Sequence, residues 1–116
     1  MNTDKIPLKS LSSEILRLRR NDLLHSFPPF DQLIRGSLIT RHVKCGKSNC
    51  HCSSGKGHRS LYLSSLQNGK TKLDYVPSTL EPWVRERLEN YHRVQKLTAE
   101  LAEINMELLR RREIDG

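Results

Sequence analysis

From Val84 to Leu108 the apolar residues return every three or four positions: Val84, Leu88, Tyr91, Val94, Leu97, Leu101, Ile104 and Leu108. No Gly or Pro interrupts Trp83 to Asp115. This is the seam of one long helix reaching about Arg112. Such a helix of around thirty residues extends roughly 45 Å, at about 1.5 Å per residue. A chain of 116 residues, 35% hydrophobic and 5% aromatic, has little body with which to cover it. The seam therefore calls for an N-terminal helix, a second copy of itself or another protein, so a homo-oligomer or a helix-docked complex is expected. Ser78 and Thr79 are candidate caps, with Glu81 and Pro82 in the first turn.

Residues 1–9 read as a loose tail. Ser10 or Ser12 caps a first helix with apolar positions at Leu11, Ile15, Leu16, Leu18, Leu23 and Leu24, and with Arg17, Arg19 and Arg20 on its more polar, solvated side. Pro28-Pro29 ends it, because a residue before proline is pushed out of helical conformation. Asp31 fits the cap of a short turn over residues 32–35, closed by Gly36.

Residues 37–44 read as a strand. Residues 61–67 and 70–76 form a hairpin around Asn68-Gly69, the favoured pair where both central residues need positive φ. That two-residue loop pairs Gln67 with Lys70, Ser65 with Lys72, Leu63 with Asp74 and Tyr62 with Tyr75. One face then carries Tyr62, Leu66, Leu73 and Tyr75. The other carries Leu61, Leu63 and Val76 beside Lys70 and Lys72. Apolar groups on both faces predict helices on one side and the intervening loop partly on the other.

That loop holds every cysteine of the chain: Cys45, Cys50 and Cys52, followed by His58. Three thiolates and an imidazole are the set that closes a tetrahedral structural Zn²⁺ site with no open position. Gly46, Gly55 and Gly57 let the chain turn between them. His51 is a rival fourth ligand, although its place between two ligating cysteines points it away from them; His42 reads as a strand surface residue. The competing reading of the cluster is a set of free or partly oxidised thiols. Redox chemistry lacks its usual Cys-x-x-Cys, and no carboxylate lies near the loop to serve as a general base, so no enzyme is expected. The polar start of the chain is unlike a signal peptide and no stretch suits a bilayer. A reduced, cytoplasmic protein with no membrane partner is expected.

The same region holds the charge. Residues 32–73 contain Arg35, Arg41, Lys44, Lys47, Lys56, Arg59, Lys70 and Lys72 and no acid, while the net charge of the whole chain is +7. The remainder has 12 basic and 13 acidic residues, so the excess sits in this window. A Zn²⁺ held by three thiolates adds about −1 and leaves it strongly positive. Such a field favours a polyanion over a merely solvated face. The expected nucleic-acid contacts are Arg41, Lys44, Lys47, Asn49, Lys56, Arg59, Lys70 and Lys72, with Ser48 beside Asn49 at the loop tip. Tyr62 and Tyr75 read as core or hairpin pairs, so the aromatic platforms of single-strand binders are lacking and duplex DNA is the expected partner. Arg110-Arg111-Arg112 complements a helix C-terminus. The alternatives are a zinc-stabilised protein-interaction adaptor and an RNA-binding protein.

Arg35-Gly36-Ser37-Leu38, Cys45-Gly46-Lys47-x-x-Cys50-x-Cys52, Gly57-His58, Gly69-Lys70-Thr71, Val76-Pro77 and a long helix follow one another in that order. The order resembles a family of short prokaryotic proteins of uncharacterised function, often encoded in phages and mobile elements near transposases or recombinases. The resemblance covers about residues 33–110. It implies a metal loop and a mobile-element setting, and it implies no activity; in that setting the long C-terminal helix is expected to oligomerise or to dock on a transposase or recombinase. Arg59-Ser60 departs from it, standing where a smaller Gly/Pro-like pair is expected.

Together these readings predict an α+β chain. An N-terminal tail and helix (1–36) and a zinc-pinned β module (37–77) precede a long C-terminal helix (78–116). The expected function is that of a non-catalytic, DNA-binding accessory factor of a mobile element.

Overall fold

A computed structural model describes residues 7–43 and 58–113. The fold is α+β. Helix α1 spans Ser13–Leu24 and α2 spans Glu81–Arg110. Strands β1 (Ser37–Val43), β2 (His58–Gln67) and β3 (Lys70–Val76) form one antiparallel sheet in the order β1-β2-β3. Single 3-10 turns occupy Leu8–Ser10 and Ser78–Leu80. Among the described residues no helix is long and apolar enough to cross a membrane.

The hairpin has the register that Asn68-Gly69 dictates, Gln67 opposite Lys70 through Tyr62 opposite Tyr75. Asn68 and Gly69 both adopt positive φ, 51° and 78°, as a type I′ turn needs. Strand β2 starts three residues earlier than the sequence suggests, because β1 supplies partners as far as Val43 opposite His58. The turn expected over residues 32–35 does not form. Ile34 N–H donates to the Arg87 carbonyl (3.1 Å) and the Asn90 side-chain amide donates to the Gln32 carbonyl (2.9 Å), which ties this stretch to α2 in irregular form. Gly36 then sits at φ 148°, and a Cβ there would lie 2.6 Å from the Ser64 carbonyl oxygen. Only glycine fits at that spot.

Packing divides the chain into two units, residues 32–91 and residues 1–31 with 92–116, so that α2 contributes to both. In the first, Leu61 and Val76 of the sheet pack with Val84 and Leu88 of α2, joined by half-buried Ile34, Leu38 and Leu63. The covered sheet face is the Leu61/Leu63/Val76 face. In the second, Leu16 packs with Ile104 and Leu108, flanked by Leu8, Leu11 and Leu23. Every seam residue of α2 is buried or half-buried.

Ser12 caps α1, its hydroxyl accepting from Ile15 N–H at 3.1 Å, one of the donors a helix start leaves open. The expected amphipathic division of α1 needs correction. Ile15, Leu18 and Leu24 are exposed (48%, 63% and 56%). The arginines assigned to its solvated side are engaged instead: Arg19 with Glu100 (3.4 Å), Arg20 with Asn105 (2.9 Å) and Arg17 with Glu113 (4.0 Å). Leu16, Arg19, Arg20 and Leu23 share one helical stripe, and long arginine stems can lie along apolar surface while their heads pair.

The far end of α2 stops two residues short of Arg112. Arg112 adopts φ 60°; its N–H bonds Leu109 O and the Glu113 N–H bonds Leu108 O (both 2.9 Å). This is a Schellman cap, with arginine in the left-handed position that glycine usually fills. Arg111 closes the unit: its guanidinium donates to Glu107 (2.9 Å), to the Ser13 hydroxyl (3.1 Å) and to the Leu8 carbonyl (3.1 Å). The Ser13 hydroxyl in turn donates to Glu113.

Candidate nucleic-acid interface and metal loop

Strand alternation distributes the expected contact residues over both faces of the sheet. Arg59, Lys70 and Lys72 fall on the face that α2 covers, in register with Leu61 and Val76. Arg59 is half-exposed and meets Glu81 at 3.8 Å, so part of its charge is already answered. Glu81 also holds Arg85 at 2.8 Å. Lys70 and Lys72 are exposed next to the hairpin turn, with Asp74 following on the same side. Arg41 falls on the opposite face. Lys44, Lys47, Asn49 and Lys56 lie outside the described residues. Arg35 donates from its guanidinium to the Leu66 carbonyl at 2.9 Å, beyond the point where β1 supplies partners to β2.

The opposite face carries Ile39, Arg41, Tyr62, Leu66, Leu73 and Tyr75. Its large side chains meet solvent: Leu66 is 58% exposed, Leu73 42% and Tyr75 63%. Tyr62 and Tyr75 stand directly opposite each other, ring centroids 5.8 Å apart and planes at 68°, an edge-to-face arrangement. The Arg41 guanidinium lies 5.8 Å from the Tyr62 ring centroid, within cation–π range. No Asp or Glu falls on this face in any of the three strands.

The tyrosines stand as the hairpin pair that the sequence suggests. They pair across the hairpin, but Tyr75 remains open to water. Among the described residues α2 is the only helix that packs on the sheet, on its Leu61/Leu63/Val76 face; the loop expected partly on the other face lies outside the described residues. One long helix has a single seam, and that seam supplies one covering layer.

A second exposed aromatic lies on α2. Trp83 is 49% exposed, and the Arg87 guanidinium sits 3.8 Å from its ring centroid while donating to the Trp83 carbonyl. Arg87 was not singled out as functional, and its carbonyl also anchors Ile34, which makes it a structural residue of this helix turn.

Of the expected metal ligands, Cys45, Cys50 and Cys52 lie outside the described residues, as does the rival His51. His58 is the first residue of β2, exposed, and paired with Val43 of β1. Residues opposite each other in an antiparallel pair have Cα atoms about 4.5–5.5 Å apart. The sheet therefore brings His58 to the point from which the chain leaves toward Cys45. His42 falls on the other face, opposite Arg59, and is exposed. Among the described residues no three His, Cys, Asp or Glu gather closely enough to hold a metal ion.

The profile of a family described as a domain of unknown function (DUF6788) matches residues 12–86, well over half of the chain. No curated protein and no solved structure matches it.

Proposed function

We propose that this chain, which belongs to the DUF6788 family, is a non-catalytic DNA-binding accessory protein whose sheet is pinned by a structural zinc loop. One observation supports this reading above the others. The three strands are drawn from the acid-free stretch of the sequence, and Asp74 is the first carboxylate met along them. Arg41 on one face and Lys70 and Lys72 beside the turn are thus presented on a rigid frame with little to neutralise them. Lysine and arginine on such a frame pair with phosphates and release counterions.

Zinc is assigned to Cys45, Cys50, Cys52 and His58, as four ligands that leave no open position. The Val43–His58 pairing supports the assignment by closing the two ends of the loop. Metal content of the native protein should be about one Zn²⁺ per chain, falling in Cys50→Ser, by the four-ligand logic of a structural site. A zinc content near zero that Cys50→Ser leaves unchanged overturns the site. The setting in a mobile element, the transposase or recombinase partner and the cytoplasmic location rest on the motif order and on the reduced-thiol reading. Association of copies, if present, gives a solution mass above the chain's 13.5 kDa in light scattering.

DNA binding is tested by fluorescence anisotropy with labelled DNA across a salt series. Affinity should fall steeply with salt, and Lys70→Ala with Lys72→Ala should reduce the slope by about one for each phosphate contact removed. Binding that is absent, or indifferent to salt, overturns the reading.

A further inference from the structure

We infer that the open sheet face is a stacking surface for unpaired bases, so that the preferred substrate is single-stranded DNA rather than duplex. The inference rests on the DNA-binding reading and names the substrate of that same sheet. Bases in a duplex are stacked on one another and offer no ring face to a protein aromatic, whereas unpaired bases do. Tyr75, 63% exposed, offers its ring to solvent from the last strand. The edge-to-face contact with Tyr62 at 5.8 Å braces that ring from one side. Leu66 and Leu73, both exposed, extend the apolar floor on the neighbouring positions. The Arg41 guanidinium beside Tyr62 supplies a planar cation at the other end of the same face.

Charge identifies the occupant. The face has no carboxylate, and its formal charge is the arginine's. A second copy set face to face in two-fold fashion would bring two acid-free surfaces and two Arg41 side chains together, which like charge opposes. A polyanion with apolar rings matches both properties of the surface: bases meet Tyr75 and the leucines, while phosphates meet Arg41. Stacking of this kind is tolerant of sequence, because every base has a ring face.

The experiment uses the full chain, a labelled single-stranded oligodeoxynucleotide, and the same strand annealed to its complement, at one salt concentration. The single strand should bind more tightly. Tyr75→Ala should weaken single-strand binding by about tenfold and change duplex binding by less than about twofold. Tyr75→Phe, which keeps the ring, should bind the single strand like the parent chain. Circular dichroism and the urea midpoint confirm that each variant is folded. Salt-dependent binding in which the duplex is equal or preferred, or in which Tyr75→Ala is without effect, overturns this inference and leaves the DNA-binding reading standing. Tyr75→Phe failing as Tyr75→Ala does also overturns it, because the hydroxyl and not the ring would then carry the contact. Absence of binding to either probe overturns both.

Discussion

The sheet unit and the helix unit hold cores of nearly the same size by different means. In the sheet unit Leu61, Val76, Val84 and Leu88 are buried, and the surrounding frame is mainly backbone: strand ladders, the Ile34 bond to α2 and the close fit of Gly36 under β2, with the Asn90 amide on Gln32 and the Arg59–Glu81 pair beside them. In the helix unit Leu16, Ile104 and Leu108 are buried, and the frame is side chain: Arg19 with Glu100, Arg20 with Asn105, and Arg111 with Glu107, Ser13 and Leu8. Backbone ladders fix register and leave the outward side chains free to vary. Side-chain clamps use up the charges they employ. Arg41, Lys70 and Lys72 of the sheet unit are exposed on that backbone frame. The family match over residues 12–86 runs through the strands and ends before Ile104 and Leu108.

The largest expected effect tests whether the sheet unit depends on one face only. Leu61 is 3% exposed, and Leu61→Ala should cost about 2–5 kcal/mol of unfolding free energy. Leu66 belongs to the same strand but is 58% exposed, and Leu66→Thr should change stability by less than about 0.5 kcal/mol. Urea unfolding followed by circular dichroism measures both. Similar losses in the two variants would mean that the open face is covered in solution.

Next in size is the glycine that lets the backbone frame close. At Gly36 a side chain must accept a positive φ and a carbonyl oxygen 2.6 Å from its Cβ. Gly36→Ala should cost about 1–3 kcal/mol, the range for a residue held in a sparsely populated conformation. The same change at Gly69 meets no atom within 4 Å and suffers only from φ 78°, so it should cost less. If Gly69→Ala proves the more damaging, the close approach to β2 is not what constrains Gly36.

A smaller effect of opposite sign belongs to the helix unit. Arg112 holds the left-handed position of the Schellman cap at φ 60°. Arg112→Gly relieves the Cβ strain and should stabilise by about 0.5–1 kcal/mol. A net loss on substitution would show that the Arg112 side chain makes a contact worth more than the strain.

What the sequence discloses follows from the range of the interactions involved. The hairpin register was legible because two residues, Asn68 and Gly69, dictate it locally. The cap at Ser12 and the seam of α2 were legible for the same reason, since each rests on spacing within one element. Residues 32–36 were misread because their partners, Arg87 and Asn90, lie on α2, far along the chain. The solvated reading of Arg17, Arg19 and Arg20 failed because polarity alone does not tell a water-facing cation from one paired across helices. At the candidate site, alternation put Tyr62 and Tyr75 together. Which face the helix covers depends on packing that no local pattern encodes.

The smallest effect separates the two frames by pH. Glu107 accepts from Arg111 at 2.9 Å and meets Arg110 at 3.4 Å, and its side chain is 12% exposed. The hydrogen bond from Arg111, aided by the charges of Arg111 and Arg110, holds its carboxyl below the ordinary glutamate value against an opposing contribution from burial. A carboxyl whose folded value is depressed binds its proton less readily in the folded chain than in the unfolded one. Its stabilising contribution is complete above the unfolded value and is lost as pH falls through the folded one. Glu107→Gln keeps the shape and removes the charge. The parent chain should therefore be more stable than Glu107→Gln at neutral pH, and the gap should close in acid. Chemical unfolding at a series of pH values reads that gap. A gap that persists unchanged in acid would mean that Glu107 acts through its shape and hydrogen bonding rather than through its charge.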